Sequence, residues 1–145
     1  MANAFTTGVL QDDNITFDRR PKWGVWDLSS DASGDLTLCT IRPGTIFLDA
    51  KCWVITAPGT AGNHKVEIIR SDGSTDESLF TMVAVDGIGT AGAEALVPTA
   101  ASQVPLAAGD AKNLLQATFT LASGTPSPAA RVRISILAYR EAGSY

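Results

Sequence analysis

The sequence predicts an all-β protein: a two-sheet antiparallel sandwich of about eight short strands, jelly-roll or immunoglobulin-like, preceded by an N-terminal arm. Three observations predict it. Apolar residues recur mostly with period two, and helical periodicity is nearly absent. The apolar runs are separated by clusters of Gly, Pro, Asp and Ser that supply turns. The chain has 145 residues, 45% of them hydrophobic, which suffices for one domain with a sizeable core.

The clearest strand runs from Thr45 to Thr56. Strict alternation sends Ile46, Leu48, Ala50, Cys52 and Val54 to one face and Phe47, Asp49, Lys51, Trp53 and Ile55 to the other. Arg42-Pro43-Gly44 turns the chain into this strand, so Leu36 to Ile41 reads as its partner, with Ser29 to Asp35 as the loop before it. His64 to Arg70 follows, with Val66 and Ile68 inward and Lys65 and Glu67 outward. Ser71-Asp72-Gly73-Ser74 then closes a hairpin into Leu79 to Val85. Leu115, Ala117, Phe119 and Leu121 mark the inner face of the next strand. Val132, Ile134, Ile136 and Ala138 mark that of the last, with Arg131 and Arg133 on its solvent side. Ile15 to Phe17 and Trp23 to Leu28 complete the set.

Two segments exceed a minimal sandwich. Residues 1–20 form an arm ending in Arg19-Arg20-Pro21-Lys22, a basic cluster that reads either as solvated charge at a chain end or as an anchor. The domain proper is 21–145, interrupted by an insertion at about 86–113. That insertion is rich in Ala, Gly, Val and Pro, and its charged residues are Asp86, Glu94, Asp110 and Lys112. It is too long for an ordinary loop and too apolar for disorder. The expectation is a segment that packs on a neighbour or folds back over the sheet, with a short helix around Ala93 to Val97.

Composition narrows the function. A net charge of -4 and a pI near 4.8 offer no chain-wide basic field, so nucleic acid is not expected as the main partner. The first residues lack a signal-peptide pattern and no stretch approaches a membrane span, so the product is expected in the cytoplasm of its cell. Cys39 and Cys52 lie in alternating apolar runs and read as free thiols. Charged residues amount to 18%, below the roughly 25% of average domains, which favours a surface covered in an assembly.

Catalytic chemistry lacks its parts. His64 is the only histidine and, at a strand start, reads as structural. The two cysteines have no companions for a structural zinc site. Asp72, Asp76 and Glu77 do not follow the spacing of a calcium loop and read as a hairpin tip. Gly87-Ile88-Gly89 lacks the third glycine and the strand-to-helix context of a phosphate loop. No catalytic, cofactor-binding or metal site is expected. Aromatic side chains are the remaining binding chemistry. Trp23 and Trp26 lie on opposite faces, so at most one is expected to be free, and Trp53 is expected in an apolar layer.

The order of elements resembles tailed-phage virion proteins, more narrowly jelly-roll capsid decoration or cement proteins. It runs from a polar arm through Arg42-Pro43-Gly44-Thr45, a hairpin, an Ala/Gly-rich insertion and Ala108-Gly109-Asp110 before the last strands. The resemblance is one of style across most of the chain. It implies a non-enzymatic homo-oligomer, dimer or trimer, made in a host cytoplasm and carried on the virion. Such a protein binds the major capsid protein and stiffens the shell. On this reading the candidate partner-contacting residues are Arg19, Arg20, Lys22, Trp23 and Trp26 around the arm, and Ile88, Leu96, Val97, Val104 and Leu106 in the insertion. The alternative is a carbohydrate- or receptor-binding module of a phage tail or fibre, motivated by the sandwich pattern and the tryptophans; an enzyme comes third.

Overall fold

The computed structural model describes Phe17 and residues 19–60, 62–122 and 126–141. These hold nine strands: β1 (Lys22–Ser30), β2 (Gly34–Thr40), β3 (Thr45–Thr56), β4 (Lys65–Ser71), β5 (Asp76–Thr81), β6 (Gly92–Ala95), β7 (Val97–Pro98), β8 (Leu114–Thr120) and β9 (Ala130–Arg140). One 3₁₀ turn, Ala100–Gln103, lies between β7 and β8. The strands form two antiparallel sheets, ordered β1-β9-β3-β6 and β2-β8-β4-β5-β7. The pairings nest: β4 with β5, β3 with β6, β2 with β8 and β1 with β9. The chain is thus a long antiparallel ribbon rolled into two facing sheets, the jelly-roll alternative of the two expected windings.

Between the sheets lies one core. It is built from Trp26 and Leu28 of β1, Leu38 of β2, Val54 of β3, Ile68 of β4, Phe80 of β5, Phe119 of β8 and the alternating Val132, Ile134, Ile136 and Ala138 of β9. Each large apolar side chain so buried stabilises the fold by about 1.5–3 kcal/mol. The inward faces expected for the His64–Arg70 strand and the last two strands are those observed.

Where the structure departs from strict reading, the causes are local. Leu36–Ile41 is not the partner of the next strand. The turn Arg42-Pro43-Gly44-Thr45 is closed by Thr45 N–H donating to the Arg42 carbonyl (3.2 Å), with Gly44 at φ 90°, and it carries the chain from one sheet to the other. An apolar face packs equally well across a sandwich or beside a neighbour, so periodicity does not distinguish the two. Bulges in β3 insert an extra residue opposite β9 at Leu48 and again at Ile55. The first moves Phe47 onto the buried face with Ala50, Cys52 and Val54 and turns Leu48 out to solvent. The hairpin strand ends at Thr81, and Val83, expected within it, is 76% exposed. In the 86–113 segment Gly92–Ala95 is a strand rather than a helix, and Ile88, Leu96 and Leu106 belong to the core. The segment therefore completes the sandwich. Most of the expected arm, and most of the expected Ile15–Phe17 strand, lie outside the described residues; Phe17 is buried outside any strand, its ring edge-on to Phe47 at 6.2 Å.

One glycine sets the packing of β1. A Cβ on Gly24 would stand 2.4 Å from Cη2 of Trp26, whose indole lies over it within the core. Gly24→Ala is expected to cost about 1–3 kcal/mol in denaturant unfolding. Most of that loss should vanish in a Trp26→Leu background, where the clash is gone.

Cys39 and Cys52 are free and buried, and burial pushes both thiols up to about 12, with the Glu94 charge adding to the effect on Cys52. Unfolded thiols ionise near pH 8.5, whereas these stay protonated in the fold. The resulting stability is full below about pH 8.5 and is lost as pH rises towards 12. Both cysteines are expected to resist a disulfide-exchange reagent at pH 8 and to react fully in denaturant, and urea midpoints should fall on alkaline titration.

Candidate functional site

The outer face of the four-stranded sheet is built by alternation. Trp23, Val25 and Asp27 of β1 lie beside Leu137, Ser135 and Arg133 of β9. Asp49, Lys51 and Trp53 of β3 lie on the other side of β9, and Ala95 and Ala93 of β6 pair with Lys51 and Trp53. Short side chains on β6 and at Ser135 leave a groove of about 590 Å³ beside the tall ones. Lys51, Trp53, Ala93, Ala95, Arg133 and Ser135 are among its lining residues. Trp53 is 56% exposed.

Several charged side chains on this face already have partners. Arg133 donates from Nε and Nη2 to the two oxygens of Asp27 at 2.6 and 3.0 Å. The Arg133 hydrogen bonds hold the Asp27 carboxyl below its ordinary range, against the opposing effect of burial. The Lys51 ammonium lies 5.1 Å from the centre of the Trp23 ring, a cation–π contact. Asp49 accepts the Ala50 N–H at 2.8 Å through Oδ1.

A second concavity, of about 660 Å³, lies at the root of the arm and is lined by Arg19, Arg20, Pro21, Lys22 and Arg140. Arg140 is fixed there by donating from Nε to the Pro43 carbonyl at 2.9 Å. This clustering of cations contrasts with the net charge of -4 of the chain.

The residues singled out from the sequence divide accordingly. Arg19, Arg20 and Lys22 come together at the arm root. Trp23 is exposed on the sheet face beside Lys51, whereas Trp26 is wholly buried and presents no surface for a partner, consistent with at most one of the pair being free. Ile88, Leu96 and Leu106 are core and present no surface for a partner. Val97 and Val104 are exposed. Trp53, expected in an apolar layer, is on the surface. That expectation rested on its sharing a face with Phe47, and the Leu48 bulge separates them. Lys51, Ala93, Ala95, Ser135 and Arg140 were not singled out, because their grouping depends on the β6 and β9 pairings, which alternation alone does not reveal.

The residues weighed for chemistry are engaged in holding the fold. His64 is buried; its Nε2–H donates to the Thr60 carbonyl at 2.6 Å and its Nδ1 accepts the Ala122 N–H at 3.1 Å. Asp72 caps its own turn by accepting the Ser74 and Thr75 N–H groups. Those bonds, Thr75 first, hold its carboxyl low. Asp76 accepts from the Ser71 hydroxyl, and Glu77 pairs with buried Arg70. Gly89 gives close passage to Asp86, whose Oδ1 accepts the His64 N–H.

No protein-family model matches this chain, and neither a curated protein nor a solved structure matches it. The reading of function therefore rests on the surfaces.

Because Trp53 and Trp23 are exposed and Trp26 is not, collisional quenching should separate them. Trp53→Phe is expected to remove the largest share of acrylamide-quenchable fluorescence, and Trp26→Phe to leave that share unchanged while removing a blue-shifted component.

Proposed function

We propose that this chain is a non-enzymatic virion structural protein that binds and stabilises a phage capsid shell as a decoration or cement protein. The observation that carries the reading is the convergence of Arg19, Arg20, Lys22 and Arg140 around one concavity. Four cations on an otherwise acidic chain form a docking point for an acidic surface, and such complementarity sets orientation and on-rate. The partner on this reading is the major capsid protein, joined by further copies of this chain as dimers or trimers, with no role for nucleic acid, membrane, cofactor or small-molecule substrate. The chain is made in the host cytoplasm and carried on the virion.

The jelly-roll winding is compatible with this, since the architecture recurs in viral capsid domains, and it also recurs in lectins and enzymes, so it supports the reading by analogy alone. Mechanistically, the sandwich is a rigid platform. The arm root and the exposed Val97 and Val104 supply contact, and repetition over symmetric shell sites turns modest individual affinities into tenacious attachment.

Purified chain mixed with undecorated shells is expected to bind saturably and stoichiometrically. Reversing Arg19, Arg20 and Lys22 to Glu should weaken that binding about tenfold or more, and added salt should weaken the wild type. Absence of binding, or binding indifferent to the charge reversals, overturns the reading.

A further inference from the structure

We propose that the groove on the outer face of the four-stranded sheet is a binding site for a neutral saccharide. The inference goes beyond attachment to a shell and concerns a separate surface: the groove involves β3, β6 and β9, whereas the basic concavity lies at the arm root.

Trp53 is the first reason. A tryptophan 56% exposed in mid-strand presents much of its apolar surface to water, and a strand holds it at little conformational cost. The two bulges of β3, at Leu48 and Ile55, bracket the segment from Asp49 to Val54 that carries it. Bulges recur where a strand must re-aim side chains beside a site. The second reason is depth. Ala93 and Ala95 are short where they pair with Trp53 and Lys51, and Ser135 is short beside them, so the indole borders a recess of about 590 Å³, within the usual range of ligand sites.

Charge then selects the ligand. An anionic ligand would compete with Asp27 for Arg133, and Lys51 is engaged over Trp23. The lining as a whole carries two cations, Lys51 and Arg133, and two carboxylates, Asp49 and Glu94, so it favours neither sign of ligand charge. What remains is an apolar ring face beside hydrogen-bonding groups. Arg133 has N–H groups beyond the two given to Asp27, Ser135 both donates and accepts, and Asp49 Oδ2 accepts. A saccharide has this composition, with a C–H face that stacks on an indole and hydroxyls that exchange hydrogen bonds at its rim.

The test is a glycan array of neutral and acidic oligosaccharides probed with the full chain, followed by fluorescence titration of each hit. Saturable binding of neutral glycans is expected, weakened about tenfold or more by Trp53→Ala and also reduced by Asp49→Asn. Circular dichroism verifies that each variant is folded. Charge reversal of Arg19, Arg20 and Lys22 should leave glycan binding intact, so failure of shell attachment and failure of this site are distinguishable. An array without hits, hits confined to sialylated or sulfated glycans, or affinity unchanged by Trp53→Ala overturns the proposal. So does a dimer that Trp53→Ala dissociates, because the face would then be covered by a second copy.

Discussion

β9 occupies a central position in the four-stranded sheet, hydrogen-bonded to β1 on one side and β3 on the other along most of its length. Its inward residues Val132, Ile134, Ile136 and Ala138 are wholly buried. Without β9, β1 has no partner in its sheet and the core loses Val132, Ile134, Ile136 and Ala138. The pairing joins distant parts of the chain: Arg133 and Asp27, bonded across it, are 106 positions apart. Closing so large a loop costs entropy before the core repays it, which makes jelly rolls slow to fold and cooperative once formed.

The nested pairing also fixes what the outside of each sheet can do. Once Trp26, Leu28 and the β9 apolar residues face inward, period-two alternation obliges Trp23, Asp27, Arg133 and Ser135 to face out together. The Asp27–Arg133 pair is partly exposed and contributes little to stability. Its importance is positional, since it holds one wall of the groove in place. On the other wall the small residues of β6 matter for the volume they leave. A larger side chain at Ala93 or Ala95 would be tolerated by the fold, being exposed, yet would fill the recess.

Much of the fold was legible in the sequence where one face of a strand is buried and the alternation is uninterrupted. Val132 to Ala138 and Leu115 to Phe119 read correctly because burial on one side forces that pattern. The hairpin at Ser71–Ser74 read correctly because Asp72 and Gly73 have the chemistry of a turn, with Gly73 at φ 99°. Alternation failed at Leu48, where one extra residue reverses the faces before it and carried the reading of Trp53 with it. It failed again at Gly92–Ala95. Three small residues and a glutamate carry no periodic apolar signal, so this edge strand was merged into an apolar insertion with an expected helix. Part of each candidate surface was visible beforehand: the basic run Arg19 to Lys22 is local, and Trp23 was rightly separated from Trp26. Arg140 and the groove arise from strand pairing between distant segments and leave no local trace.

Both surfaces draw on the same strand. β9 contributes Arg140 to the basic concavity at the arm root and Arg133 and Ser135 to the groove, while its alternate residues fill the core. Surface and core are therefore separated by face, with outward positions open to substitution and inward ones bound to the sandwich. A substitution at Ile134 or Ile136 would loosen both surfaces at once through the platform they share. One at Arg133 alters the groove alone, because the cations at the arm root are positioned by β1 and by the bond from Arg140 to Pro43. That independence means that either surface can be altered by substitution without disturbing the other.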